Sequence, residues 1–223
     1  MTLKVVIKEE NDYVEFPNRK MLSCQIRKEK INILNENDYP YDIPDNWRFI
    51  KLEDLTTISI KRGKSPKYVD KSGILVFAQK CNPKNGNISL HNAKYLDENI
   101  KNKYTVDNYL KRNDIVINST GGGTLGRIGY ISEELINNSL PIVPDSHITI
   151  VRIKEDILPK YIYFFLKFNQ SYLETMGVGS TNQTELRPDT IKELLVPFPP
   201  IEEQQRIVER LEVLLLLCED LKE

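Results

Sequence analysis

Histidine is scarce in this chain: His91 and His147 are the two in 223 residues. Cysteine is nearly as scarce, with Cys24, Cys81 and Cys218 far apart and odd in number. A zinc site draws about four such ligands at short, regular spacings. No CxxC or Cys/His pair of that kind is present, so no metal is expected. The thiols read as reduced, with Cys218 a small apolar filler on a helix face. No Ser/His or Cys/His pair stands in a catalytic context. No apolar run approaches the roughly 18 residues of a membrane span. The opening stretch, MTLKVVIKEENDY, has no apolar core of a secretory signal. The expectation is a cytoplasmic protein with no membrane contact.

Phosphate-binding and nuclease signatures are missing as well. Gly121, Gly123 and Gly126 match G-x-G-x-x-G after a strand. A dinucleotide site also needs a helix to begin there, with its N-terminus on the pyrophosphate. Here RIGYIS reads as strand, and Pro141 and Pro144 follow it. No G-x-x-x-x-G-K-[ST] loop occurs. Asp145 followed by Arg152-Ile153-Lys154 has one acid where a metal nuclease needs a cluster. His147, placed on an alternating strand, reads as a hydrogen-bonded structural residue rather than a base. No glycine-rich loop leads into a helix suited to adenosylmethionine, and no Asn-Pro-Pro-aromatic sequence is present.

What is present is a soluble-type composition, 40% apolar and 28% charged, enough for a real core. The net charge of −1 hides a segregation. Residues 61–112 hold twelve Lys or Arg against four acids, whereas the tail from Glu202 to Glu223 holds seven acids against three bases. A basic middle suits phosphate contact, although a lysine-rich solvated surface would look the same.

Apolar periodicity gives strands in TTISIKRGKSP, GILVFAQK, DIVINST, RIGYIS and HITIVRI. A long helix is expected through LPKYIYFFLKFNQSYLETM, and shorter ones through Val106–Leu110 and in ELRPDTIKELL. LKVVIKE reads as a strand and RKMLSCQIRKEKINIL as a helix, with NENDYPYD as a linker. Strands and helices in this mixed order make an α+β domain. Its boundaries are set at 43–200, with an N-terminal extension over 1–42 and a helical segment over 201–223. Trp47, Phe77, Tyr163 and Phe164 are expected in the core.

The binding candidates sit in polar loops. Lys61, Arg62, Lys64, Ser65 and Lys67 surround Gly63 and Pro66, and cations on such a loop suit phosphates. Gln79, Lys80, Asn82, Lys84 and Asn85 leave a buried strand, where amides could read adenine and guanine edges. A solvated turn would have the same composition. Asn182 and Gln183 in GVGSTNQTELRP either contact DNA or cap the next helix. Arg127 is placed to reach a groove from the glycine hinge.

The chain closes on PFPPIEEQQRIVERLEVLLLLCEDLKE. Pro199 and Pro200 fix the backbone, and Glu202 and Glu203 stand at the positive end of the helix dipole. Ile207, Leu211, Leu214, Cys218 and Leu221 follow in steps of 4, 3, 4 and 3, the rhythm of a helix that lies along another. So short a seam implies a partner helix or a longer parent chain.

The landmarks occur in a recognisable order: IPDNWRFIKLEDL, a G-x-S-P loop (Gly63, Ser65, Pro66), GILVFAQK, NDIVINSTGGGTLGRIGYI, LPKYIYFFLKF, and GSTNQTELRPDTIKELLVPFPPIEEQQRIVERLE. This resembles one target-recognition domain, with its adjoining helix, of the specificity subunit of type I restriction-modification systems. The most specific part is T-x-Q-x-x-L followed by I-x-x-L-x-V-P-x-P-P-x-x-E-Q, and the resemblance covers about residues 43–223. It implies an α+β recognition domain with a coiled-coil-type C-terminal helix and no catalytic residues. It implies double-stranded DNA as ligand, and an adenine-N6 methyltransferase subunit and a restriction/translocase subunit as partners. Adenosylmethionine would then be bound by the methyltransferase, with no cofactor on this chain. Gln183 falls within the family's motif, where its role is either contact or loop structure. Family members carry two recognition domains, so one domain reads as a half-subunit or a fragment. A half-subunit would pair with a second copy through the helix seam and read a palindromic split site. The competing reading is a protein–protein adaptor that works through the helix and never touches DNA.

Overall fold

The computed structural model describes residues 40–84, 87–179 and 184–220, and residues Ile43–Glu223 form one compact unit distinct from residues 1–42. The strand and helix expected within residues 1–39 lie outside the described residues. The two ends of the unit are tied together. Strand β1 (Arg48–Lys51) runs antiparallel to β10 (Leu195–Phe198), with Arg48 opposite Phe198 and Lys51 opposite Leu195.

A four-stranded antiparallel sheet forms the middle, in the order β2 (Lys61–Arg62), β9 (Ile148–Val151), β6 (Ile115–Asn118), β7 (Ile128–Tyr130). Every residue of β6 and β9 is buried, as continuous apolar runs require when both faces are covered. Alternation splits them. Ile115 and Ile117 enter one core with Leu52, Ile128, Ile162, Leu166 and Val196, while Val116 enters a second with Phe77, Ile131, Ile142 and Ile148.

A second four-stranded sheet has the order β3 (Tyr68–Val69), β5 (Lys94–Leu96), β4 (Leu75–Phe77), β8 (Ile142–Pro144). Strand β8 is absent from the sequence-based expectation, because Pro141 and Pro144 bracket its apolar pair. The strand is tolerated because it lies at the sheet's edge, parallel to β4, with Phe77 opposite Pro144.

The helices are α1 (Glu133–Asn137), α2 (Pro159–Phe168), α3 (Gln170–Thr175), α4 (Pro188–Lys192) and α5 (Ile201–Asp220). The long helix expected over α2 and α3 is interrupted at Asn169. Its side-chain amide donates to the Phe165 carbonyl at 2.8 Å, a local bond that competes with the helical ladder. Residues 106–108 form a 3-10 turn rather than the expected helix. Phe77 is fully buried, and Tyr163 and Phe164 pack at the edge of the first core. Trp47 is half-buried, and its indole N–H donates to Glu203 of α5 at 3.0 Å.

Helix α5 corrects the expected seam. Its first turns dock on the domain itself: Gln204 and Val208 are buried, and Ile207 joins the first core. The Gln204 amide nitrogen donates to the Pro199 carbonyl at 3.0 Å, and its oxygen accepts from the Leu158 N–H at 3.2 Å. Ile207 and Leu211 are therefore not a free seam; both are half-buried in the docked half of the helix. Leu214 and Cys218 are exposed, and Leu221 lies outside the described residues. The apolar run Val213–Leu217 is exposed along its whole length, from 43% at Leu214 to 62% at Leu216.

A buried ion pair ties together the ends of two neighbouring strands of the middle sheet, Asp114 just before β6 and Arg152 just after β9. The Arg152 guanidinium meets both carboxylate oxygens of Asp114 at 2.8 Å and donates to the Tyr109 carbonyl at 2.7 Å. The basic Arg152-Ile153-Lys154 run is thus structural, with the Lys154 ammonium on the Asp54 carbonyl.

Candidate nucleic-acid interface

Four turns meet at one end of the two large sheets. They follow β4 (residues 78–84), follow β6 (119–127), join β8 to β9 (145–147) and follow β2 (63–67). Gly63 makes the closest approach. Its N–H donates to the Ile148 carbonyl at 2.9 Å, and a Cβ there would stand 2.3 Å from the Pro144 oxygen. No other residue lets the basic loop cross the β8–β9 turn so closely.

The cations of that loop are held in different ways. Lys61 is exposed on β2 and makes no ion pair among the described residues. Arg62 binds Glu185 at 2.5 Å. Lys64 donates to the Lys103 carbonyl and lies 5.5 Å from the Tyr104 ring centre. Lys67 binds Asp97 at 2.7 Å, and that ammonium with the Asn99 N–H holds the Asp97 carboxyl below its usual range. Ser65, Lys80 and Lys84 are exposed.

The amide candidates divide. Asn82 is fully buried, donating to Asn118 Oδ1 and to the Arg127 carbonyl, each at 3.1 Å. It cannot face a groove, and its expected base-reading role is withdrawn. Its NH2 ties the β4 turn to β6 and the glycine turn, while its Oδ1 is buried with no hydrogen-bond partner among the described residues. Gln79 is half-buried, with its amide nitrogen committed to the carbonyl and, at 2.9 Å, the hydroxyl of Thr120. It no longer offers a free amide fork. Arg127 is also diverted: its guanidinium folds back onto the Gly123 carbonyl at 2.6 Å. Asn85, Asn182 and Gln183 lie outside the described residues.

The glycine turn shows why G-x-G-x-x-G is not a dinucleotide motif here. Its residues bend with positive φ at Gly121, Gly123 and Gly126, and lead into β7 rather than a helix. At Gly121 a Cβ would stand 2.7 Å from Thr124 Oγ1 and 3.0 Å from the Gln79 amide. Gly122 and Gly123 are exposed, with open space where a side chain would be, so backbone is presented directly to solvent.

One group at this end read from the sequence as structural only. His147 is exposed, yet its Nδ1 lies 2.7 Å from the Thr120 hydroxyl. Its N–H donates to Asp145 Oδ1 at 2.8 Å, and its carbonyl accepts from Ser119 at 2.8 Å. Burial pushes the Asp145 carboxyl above its usual range, against the pull of the His147 N–H. The histidine is hydrogen-bonded, as its sequence implied, but at the turn just before β9. Its scarcity in the chain was the one signal available. Among the described residues no group of three or more His, Cys, Asp or Glu is placed to hold a metal, and no helix is long and apolar enough to cross a membrane.

Comparison with known proteins places this architecture. Residues 44–223 match the family model of the type I restriction modification DNA specificity domain. The chain is similar to the type I restriction enzyme EcoBI specificity subunit of Escherichia coli, 25% identical over 197 residues. It is also similar to the MjaVIII specificity subunit of Methanocaldococcus jannaschii, 27% identical over 182 residues. These alignments cover 83% and 76% of this chain but 38% and 40% of those proteins, so the chain spans about two fifths of their length. The fold is that of the HsdS subunit from Thermoanaerobacter tengcongensis, with a TM-score of 0.61 at 17% identity over 83% of this chain and 41% of that one. A structure described in terms of complex assembly and conformational transition of the type I R-M system gives a TM-score of 0.63 at 19% identity, over 82% of this chain and 42% of that one. With four fifths of its length matched, the chain belongs to the type I restriction modification DNA specificity domain family.

Proposed function

We propose that residues 43–223 recognise DNA sequence as a target-recognition domain of a type I restriction-modification specificity subunit. The observation that carries this reading is the family match over residues 44–223. The site supports it: four turns converge at one end, exposed Lys61, Lys80 and Lys84 are available to phosphates, and bare glycine backbone lies between them. Phosphate contacts would fix the register of the domain on the duplex, and side chains of the converging turns would read the bases. Arg62, Lys64 and Lys67 contribute charge once their present partners yield.

The chain directs chemistry rather than performing it. A methyltransferase subunit would bring adenosylmethionine and flip the adenine, and a restriction subunit would cleave. The exposed run Val213–Leu217 supports a helical partner for α5, either a second recognition domain or a second copy. The same run is what favours the adaptor reading, in which DNA plays no part.

The test is co-expression with the methyltransferase subunit encoded alongside, followed by mapping of N6-methyladenine on random-sequence DNA with adenosylmethionine supplied. Methylation at one two-part motif is expected, and a palindromic motif identifies a symmetric pair of chains. A stable complex without any motif would overturn the recognition role. Binding of the partner without salt-dependent DNA affinity would establish the adaptor.

A further inference from the structure

His147 is an exposed residue held by several neighbours at the converging turns. Its backbone is fixed from both sides, by the Asp145 carboxylate on its N–H and by the Ser119 N–H on its carbonyl. Its ring is fixed as well, because Nδ1 meets the Thr120 hydroxyl at 2.7 Å.

Chemistry constrains the hydrogens of that chain of bonds. A carbonyl oxygen only accepts, so the Thr120 carbonyl fixes the NH2 end of Gln79 toward Thr120. That NH2 also donates to the Thr120 hydroxyl oxygen at 2.9 Å. The hydroxyl hydrogen is then free to point at His147 Nδ1, an arrangement that leaves no hydrogen on Nδ1. In that arrangement the neutral ring carries its hydrogen on Nε2. The result is an exposed ring tethered through Nδ1, with Nε2 as its remaining hydrogen-bonding position.

Its position matches a use for that donor. The basic loop crosses the β8–β9 turn at Gly63, two residues from Lys61 and one from Lys64. The glycine turn begins at Gly121, next to Thr120. Phosphate-seeking cations and bare backbone thus flank the ring. A pre-positioned donor is cheap to bind with, since little side-chain entropy remains to be lost.

We propose that His147 is a specificity-determining DNA contact that donates its Nε2–H to an acceptor on a base edge, with Thr120 and Gln79 as positioning residues. This rests on the recognition role proposed above. The acceptors that fit are purine N7, guanine O6 and thymine O4 in the major groove; cytosine offers only an amino donor there. One position of one half of the split site is read this way, and cytosine is rejected on the strand that faces the ring.

The experiment uses the complex with the methyltransferase subunit and a library in which each position of the wild-type motif is varied. His147→Ala should relax the preference at one position by on the order of tenfold to a hundredfold and leave the other positions unchanged. Thr120→Val should relax that same position, and Thr120→Ser should restore it. Thermal melting of His147→Ala should match the wild type, as expected for an exposed ring. The inference is overturned if His147→Ala leaves every preference intact, or if it weakens methylation equally at all positions, which marks a phosphate contact or a tie within the fold. A wild-type complex with no motif at all overturns the recognition role itself, and this inference with it. A motif in the wild type with no change in the variants sinks only the assignment of His147.

Discussion

The guanidinium of Arg62 and the carboxylate of Glu185 face each other at 2.5 Å across the edge of the middle sheet. Glu185 also anchors its own loop, pairing with both Thr120 and Val178 through isolated bridges. The ion pair therefore neutralises a cation at the converging turns and holds two of them together. Glu185→Gln is expected to release that charge to the DNA face. Binding measured against salt should then gain about one unit of negative slope in log–log form. An unchanged slope would mean that Arg62 does not reach a phosphate.

The Arg152–Asp114 pair is a buried point of vulnerability in the fold. Both groups have left water, and the lone guanidinium Nη1 has no hydrogen-bond partner among the described residues. Desolvation pushes the Asp114 carboxyl above its usual range, with the Arg152 contacts pulling it down. Arg152→Met alone should cost about 3–5 kcal/mol in urea unfolding, because it strands the carboxylate. The Arg152→Met, Asp114→Leu double variant should recover most of that loss.

Tyr130 makes the domain sensitive to alkali. Its hydroxyl donates to Asn113 Oδ1 at 2.7 Å, and Asn113 holds a left-handed turn at φ 67°. Burial, with Glu212 nearby, pushes the Tyr130 phenol up to about 12. A folded value above the ordinary one near 10 means that the contribution is complete below pH ~10 and lost as pH rises toward ~12. Spectrophotometric titration should show a late-ionising tyrosine that disappears in Tyr130→Phe. Its presence in that variant would assign the late step elsewhere, Tyr163 being another phenol that burial pushes up.

Acid acts through Asp97. Its carboxyl is depressed by the Lys67 ammonium and then by the Asn99 N–H. Its contribution is therefore present above the ordinary carboxylate value, about 3.9, and fades as pH falls through the folded value. Asp97→Asn should destabilise the domain at neutral pH, and its unfolding curve should converge with the wild type in acid. A constant gap across the range would assign the effect to lost packing instead.

The docked and free halves of α5 predict opposite outcomes. Val208→Ala removes buried methyl groups from the first core and should cost about 1–2 kcal/mol without changing association. Leu216→Glu lies on the exposed run and should leave stability within about 0.5 kcal/mol. Sedimentation of the second variant should show any helix-mediated association lost.

Local order was largely legible from the chain. The apolar runs at 115–118 and 148–151 became the buried strands, and the proline stop at 199–200 opened the final helix where the residues said it would. Covalent preference and periodicity act over a few residues, and those residues are adjacent in the sequence. The charge segregation and the family resemblance were legible for the same reason, being properties of order along the chain. Strand β8 was hidden, since its partner β4 lies more than sixty residues away and local proline content argued against it. Asn82 and Gln79 looked like loop amides until the packing of β6 and the glycine turn gave them partners. The heptad steps from Ile207 onward were real, but the domain's own core claimed the first of them. A helix face does not specify which apolar surface will cover it. What only the tertiary structure decided is which polar groups are already satisfied, because hydrogen bonds between residues 79, 120 and 147 depend on three turns meeting in space.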